Sequence, residues 1–314
     1  MKCILITGGA GFIGSTIANT LCENNQVIIV DDLSMGKLSN LKKSKNITFI
    51  EGSVTDPELM ESLISQNDFN YIYHFAAIAS VADSVARPLE THQVNFESVL
   101  SLLETIKKHN KKPERLIFSS SAAVYGDEET LPKAEESVIR PLTPYAIDKF
   151  AAEKYVLSYS QLYGIATSAV RFFNVYGPNQ NPESPYSGVI SILIDRYEKL
   201  LKTDESSFTI FGDGEQTRDF VYIEDVEQAL NLICRKEEAI GQVYNVATGI
   251  ETSLAGLIEM MDQTLETKLP LIHEPARSGD IPSSYADISK LESLGFKNKY
   301  TVKEGIQKYL ETIM

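Results

Sequence analysis

The chain reads as an α/β protein, a doubly wound parallel sheet followed by a smaller α/β C-terminal lobe. Three observations predict it. The first half alternates short β-branched runs with amphipathic stretches, the pattern of βαβ units. A glycine-rich turn joins the first such run to the first helical stretch, and beyond Arg171 the rhythm dissolves into turn formers. At 314 residues, 43% apolar and 23% charged, the composition is that of a globular protein with a large core and about two domains. We set their boundary at 173/174, residues 1–173 forming the sheet domain and 174–314 mainly the second lobe, with the chain expected to cross back to the first.

In order, strands are expected at Cys3–Thr7, Val27–Asp31, Thr48–Glu51, Tyr71–Phe75, Leu116–Ser119 and Ala166–Arg171, interleaved with helical patterns such as Ile13–Glu23 and Pro57–Gln66. Six strands suit a dinucleotide-binding fold. Two helices read as longer than the rest, Val85–Asn110 and Pro144–Tyr163, the latter opened by Thr143 as N-cap and Pro144 at the first helical position. The loop from Asn174 through Pro182 to Gly188 marks the change of architecture. Beyond it lie isolated strands at Phe208–Phe211 and Val243–Val246 and a final helix near Val302–Thr312.

With 29 Lys+Arg against 43 Asp+Glu, the net charge of −14 repels nucleic acid and anionic lipid alike. Neither is an expected partner. No apolar run resembles a signal peptide or a membrane span, and three scattered cysteines fit a reducing compartment, so a cytoplasmic protein is expected. His74, His92, His109 and His273 lack ligand spacing, and no metal site is expected.

The segment Thr7-Gly8-Gly9-Ala10-Gly11-Phe12-Ile13-Gly14 sits between the first strand and the first helix. Glycines 8, 11 and 14 allow a tight turn, close approach of backbone to a pyrophosphate and close helix packing, while the helix N-terminus supplies amides to the phosphates. Ser15 stands where a Walker loop needs Lys. Asp31, 17 residues past Gly14 at the end of the second strand, is placed for the adenosine ribose hydroxyls. Asp32 follows it. Two carboxylates with no Arg nearby disfavour a 2′-phosphate, so the cofactor expected is NAD rather than its phosphorylated form.

Tyr145 and Lys149 stand at i and i+4 on one helical face. Bringing a phenol from about 10 to about 7 takes roughly 4 kcal/mol of preferential phenolate stabilisation, which nearby cations can supply. Upstream, Phe118-Ser119-Ser120-Ser121 ends the fifth strand at the carboxyl edge where such sheets bind ligands. A serine hydroxyl there can bridge to a substrate hydroxyl.

With these motifs in this order, the sequence resembles the extended short-chain dehydrogenase/reductases of Rossmann type, and among them the UDP-hexose 4-epimerases. The likeness runs through Phe75-Ala76-Ala77, Asn95, Arg171-Phe172-Phe173-Asn174, Phe211-Gly212-Asp213-Gly214, Arg218-Asp219-Phe220-Val221-Tyr222, Asn245-Val246 and Pro275-Ala276-Arg277-Ser278-Gly279-Asp280. It implies an NAD-dependent isomerase in which Tyr145 takes the proton of the sugar 4-hydroxyl, Ser121 hydrogen-bonds the same oxygen and Lys149 holds the nicotinamide ribose. It also implies cofactor contacts from Gly8, Gly11, Phe12, Ile13, Gly14, Asp31, Asp32, Ser53, Val54, Phe75, Ala76, Ala77, Asn95, Ser119 and Phe173. Substrate contacts are implied at Asn174, Val189, Phe211, Arg218, Arg277, Asp280 and Ser284, the two arginines clamping the diphosphate.

The sequence departs from the family pattern at Ser53, where an Asp often meets adenine, and at Ala79, where some members carry a Lys near the pyrophosphate. Related 4,6-dehydratases carry an acid/base pair beside the catalytic serine or threonine, whereas here Ala122-Ala123 follow Ser121. Four residues past Asp280, Ser284 stands where the family has either a bulky Tyr or a small residue, so the resemblance implies room for an N-acetyl group at C2. Substrates expected are therefore UDP-glucose/UDP-galactose together with UDP-N-acetylglucosamine/UDP-N-acetylgalactosamine. The alternatives are another nucleotide-sugar enzyme of the group, a dehydratase or reductase, and more remotely an NAD-binding sensor, which would not be expected to retain both Tyr145 and Lys149. The family also implies a homodimer built on the two long helices, whose Val99, Leu102, Leu103, Ala151, Ala152 and Val156 suit either a core face or that interface.

Overall fold

A computed structural model describes residues 1–182, 188–276 and 281–313. Its strands are β1 (Cys3–Thr7), β2 (Gln26–Asp31), β3 (Ile47–Glu51), β4 (Tyr71–His74), β5 (Arg115–Ser121), β6 (Thr167–Phe172), β7 (Asn174–Tyr176), β8 (Phe208–Phe211), β9 (Thr217–Arg218), β10 (Phe220–Tyr222), β11 (Gln242–Val246), β12 (Thr252–Ser253), β13 (Leu271–Glu274) and β14 (Ser283–Ser284). The helices are α1 (Phe12–Leu21), α2 (Pro57–Gln66), α3 (Val81–Ala86), α4 (Pro88–His92), α5 (Ser98–Lys108), α6 (Pro144–Tyr163), α7 (Val189–Thr203), α8 (Ile223–Arg235), α9 (Leu254–Leu265), α10 (Ser289–Ser293) and α11 (Val302–Glu311).

Among the described residues, seven parallel strands form the main sheet in the order β11-β6-β5-β4-β1-β2-β3. Side chains alternate across it. Ile4 and Ile6 enter the core under α1 and α8, while Leu5 and Val30 enter a second core under α2, α5 and α6. The strand order reverses at β1/β4, the crevice where sheets of this kind bind ligands.

Two elements differ from the sequence expectation. Val243–Val246 is not an isolated strand of the second lobe but part of β11, the edge strand of the main sheet, paired in parallel with β6. The helix expected over Val85–Asn110 is broken into α3, α4, one wide turn at Gln93–Glu97 and α5. Pro88 is the physical reason for the first break, since it has no N–H to continue the helix and restricts the residue before it. Arg87 accordingly leaves helical geometry, with φ −134° and ψ 62°. Val99, Leu102, Leu103, Ala152 and Val156 are all buried in the sheet's own core, so the two helices pack on the sheet with these faces.

The second lobe is assembled from small pairings: β7 with β10, β8 with β13, and β9 between β12 and β14. Asp219 ties them together. Fully buried, its carboxylate accepts from Thr248 N, Thr248 Oγ1, Gly249 N and Ala286 N, so one side chain anchors the loops after β11 and β14. No helix among the described residues is long and apolar enough to cross a membrane.

Candidate active site

At the carboxyl end of β1 the backbone turns through Gly8, whose φ of +68° favours glycine. A Cβ on Gly8 would lie 2.6 Å from Ala76 N, and one on Gly14 would lie 2.2 Å from the Gly8 carbonyl oxygen. The chain is therefore packed backbone on backbone here. Gly11 caps α1 without any side-chain hydrogen bond, leaving the first amides of the helix without a side-chain partner.

The turn floors a cleft of about 830 Å³, lined by Gly8, Gly11, Phe12, Asp31, Asp32, Ser53, Val54 and Phe75–Ala77. Asp31 is buried and anchored, Oδ2 accepting from Ala10 N at 2.9 Å and Oδ1 from Leu33 N at 2.8 Å. Burial pushes its carboxyl above the usual range, and those amides work against the shift. The glycine cradle, the amides at the start of α1 and an acid held at the end of β2 together fit a dinucleotide.

Other implied cofactor residues lie off the cleft wall. Gly14 is buried beneath the turn. Asn95 is spent on the backbone of the loop after β4, accepting from Ile78 N and donating to Ile78 O. The cleft is closed by residues the motifs did not mark, Ser34–Lys37 on one side and Asn179–Pro182 on the other. Gly36 was the available signal, because a Cβ there would meet Asp31 Oδ1 at 2.8 Å.

Beside the cleft, α6 begins at the Thr143 cap, whose hydroxyl accepts from Ala146 N, and packs against β5 and β6. This brings Tyr145 and Lys149 to the end of β5. Lys149 Nζ donates to the Ser119 carbonyl at 2.9 Å, lies 5.0 Å over the Phe118 ring and 6.0 Å from the Tyr145 ring centre. Ser121, the last residue of β5, accepts from Ala123 N and lies beside the Tyr145 hydroxyl. Burial pulls the Lys149 amine down to about 7, with Asp148 opposing the shift. It pushes the Tyr145 phenol up, with Ser121 pulling the other way. The protein's own residues thus raise the phenol, because desolvation outweighs one hydroxyl contact.

His74, ending β4, is also buried here. Its Nδ1 is 3.0 Å from Thr7 Oγ1, and burial drives the ring down to about 3, which keeps it neutral.

On the second-lobe side, Asn174 donates through N and Nδ2 to the Asp219 carbonyl. Arg218 stands in β9 opposite Ser284 of β14, both half-buried. Phe211 ends β8, Val189 begins α7, and Phe173 is buried against Tyr125, ring centres 6.3 Å apart. Arg277 and Asp280 lie outside the described residues.

Residues 4–247 match the NAD dependent epimerase/dehydratase family. The chain is 39% identical over 307 residues to a protein of Methanocaldococcus jannaschii assigned provisionally as a UDP-glucose 4-epimerase, covering 97% of this chain and 96% of that one. Among solved structures it is similar to the UDP-N-acetylglucosamine 4-epimerase of Methanobrevibacter ruminantium in complex with UDP-N-acetylmuramic acid, at 37% identity and TM-score 0.91, covering 100% and 99% of the two chains. It is also similar to the UDP-glucose 4-epimerase of Thermus thermophilus in complex with NAD, at 32% identity and TM-score 0.87, with 98% of each chain covered. The chain belongs to the NAD-dependent epimerase/dehydratase family, and its cofactor is NAD.

Proposed function

We propose that the protein is a UDP-hexose 4-epimerase that acts on both UDP-glucose/UDP-galactose and their N-acetylated counterparts. The observation that carries this reading is the cluster of Ser121, Tyr145 and Lys149 at the end of β5, beside a cleft fitted to NAD, followed by the turn Ala122–Tyr125, in which Ala122 and Ala123 offer no acid or base and the Tyr125 hydroxyl is tied to Asn245 and Arg171. Dehydration of a sugar needs one group to take the C5 proton and another to protonate the leaving hydroxyl. Epimerisation at C4 needs neither.

The chemistry that bound NAD supplies is reversible hydride exchange with C4 of the sugar, the return being to the opposite face. Tyr145 accepts the 4-hydroxyl proton and hands it back to the oxygen of the 4-keto sugar. Ser121 holds that oxygen, and Lys149 holds the nicotinamide ribose while its ammonium favours the phenolate. Arg218 and Arg277 grip the diphosphate as guanidinium forks, with Asn174 at the phosphate or sugar and Phe211 near the uracil. Val189 and Asp280 complete the substrate contacts.

Ser284 supports the wider substrate range. Its register opposite Arg218 is consistent with a small side chain beside the proposed diphosphate clamp. A homodimer belongs to the same reading, through the exposed apolar side chains of α3, α4 and α6, namely Val81, Val85, Leu89, Ile147 and Tyr155.

The test is to incubate the purified protein separately with UDP-galactose and UDP-N-acetylgalactosamine, without added cofactor, and to follow the sugar anomeric protons by NMR. Both should convert to their C4 epimers, and Ser284→Tyr should abolish turnover of the acetylated sugar alone. Equal loss on both sugars would overturn the Ser284 role. No conversion of either sugar, even with NAD supplied, would overturn the epimerase reading.

A further inference from the structure

Between β4 and α3 the chain runs without regular structure through Phe75–Ser80, and Phe75–Ala79 of that segment line the cofactor cleft. Such a segment has no ladder to satisfy its amides and carbonyls, so each must find a partner elsewhere or face water. Its ends are fixed. Phe75 N donates to the Thr7 carbonyl at 3.1 Å and Ala76 N to Thr7 Oγ1 at 3.4 Å, while at the far end the Ser80 hydroxyl caps α3, accepting from Asp83 N at 2.7 Å. The middle is held by one side chain. Asn95 Oδ1 accepts from Ile78 N at 2.8 Å and Nδ2 donates to Ile78 O at 2.9 Å, so a single amide satisfies both backbone groups of one residue, as a neighbouring strand would.

The helix that carries this amide is adapted to deliver it. α4 passes into α5 through the wide turn at Gln93–Glu97, flanked by His92 and Ser98 in ordinary helical geometry, φ −60° and −61°. Turns of this kind interrupt the regular helical bonding and recur at functional sites. Here the Ser98 hydroxyl donates to the Val94 carbonyl at 2.6 Å. Val94 lines the cleft, and Asn95, 1% exposed, meets Ile78 instead. A buried amide is costly unless bonded, and a leucine would fill the same space at less cost if packing were the only requirement.

We propose that Asn95 is a positioning residue for the cofactor, holding Phe75–Ala79 in the shape of the cleft wall before NAD arrives without itself touching NAD. The proposal takes the NAD cleft as given and rests on the epimerase reading only for its turnover arm. A wall that is already ordered spares the cost of ordering a loop on binding, so the clamp acts on how tightly the cofactor is held. The chemical step, carried by Tyr145, Ser121 and Lys149, is left to those residues once NAD is in place.

Two measurements on the whole protein test it: hydrogen exchange of the Ile78 amide, and the rate at which the protein as purified releases NAD on dilution. Asn95→Leu should speed exchange at Ile78 and release NAD roughly 10-fold faster, while excess NAD restores turnover to within about twofold of wild type. Asn95→Ser, too short to reach both Ile78 groups, should act in the same direction and serves if Asn95→Leu does not fold. Faster NAD release with Ile78 exchange unchanged would make Asn95 a direct cofactor contact and overturn the proposal. Faster exchange with NAD release unchanged would leave the amide as a tie within the fold and overturn it too, as would turnover that stays depressed in excess NAD. A wild-type protein with no epimerase activity would sink the reading of function, while exchange and NAD release would still decide this one.

Discussion

Two buried cations meet helix α6 one turn apart, and they are treated in opposite ways. Arg171, 1% exposed, is gripped by Glu153 through Nε and Nη2 at 2.9 and 2.7 Å, and its Nη1 donates to Tyr125 OH and to the Glu135 carbonyl. Its charge is held more firmly than in water. Lys149, 2% exposed, has a carbonyl and a ring face but no carboxylate within hydrogen-bond reach, and its amine is pulled down to about 7. The same sheet edge thus keeps one compensated charge that holds β5, β6 and α6 together and one undercompensated charge beside the reacting groups. Strain of this kind is tolerated where it does chemistry.

Breaking the comparison at the lysine should give the largest effect. Lys149→Met is expected to cut turnover by about 10²–10⁴-fold while making the fold more stable at neutral pH. The sign follows from linkage. Unfolded lysine protonates below 10.5 but the buried amine only below about 7, so the unfolded state binds more protons between those values and stability rises with pH across that window. Below about 7 the burial penalty is present in full. Melting temperatures of the two proteins between pH 6 and 10 check this: the rise from about pH 7 upward should be smaller in Lys149→Met than in wild type, and a less stable variant with the slope intact would contradict the assignment.

Breaking the arginine should do the reverse. Glu153→Gln leaves Arg171 buried without its anion, and removing one partner of a buried pair costs about 3–5 kcal/mol. Ser120, whose hydroxyl donates to Glu153 Oε2 at 2.8 Å, retains a partner in the Gln carbonyl. The molecules that remain folded should turn over substrate within a few fold of wild type, because Lys149, one turn away on the same helix, bonds to Ser119 rather than to Glu153. Denaturant unfolding and kcat on the same preparation separate the two quantities.

What could be read from the sequence follows the range of the forces involved. The glycine turn was legible because its constraint is local: Gly8, Gly11 and Gly14 are needed wherever a chain turns this tightly against a neighbouring strand. The pairing of Tyr145 with Lys149 was legible because a helix fixes i and i+4. Pro88 carried the signal for the broken helix, and the apolar periodicity on both sides of it concealed the break. A return of the chain to the first domain was expected, but which segment makes it was not legible, since no local pattern says that Gln242–Val246 will pair with β6. The 2.7 Å hydrogen bond between His92 Nδ1 and Asp148 Oδ1 joins residues 56 apart in sequence and forms only after α4 and α6 have packed, so neither residue type announces it. The raised phenol of Tyr145 was likewise hidden, because i, i+4 spacing shows which groups are close and says nothing of how much water they lose.

The smallest effect at neutral pH, and the sharpest check on the comparison, comes from the third buried base in this cluster. His74 has a folded value of about 3 against the ordinary 6.5. The unfolded chain therefore binds the proton first on acidification, and stability is lost as pH falls from 6.5 towards 3. His74→Gln keeps a group able to bond Thr7 Oγ1 but cannot titrate, so its melting temperature should match wild type at pH 7 and exceed it progressively below pH 6. Lys149→Met should soften the same acid loss without abolishing it, because the ammonium adds to a shift whose larger cause is burial. If the acid slope in Lys149→Met matched that of His74→Gln, burial would be the minor cause. The contrast with Arg171 would then be one of mutual repulsion between two bases rather than of desolvation.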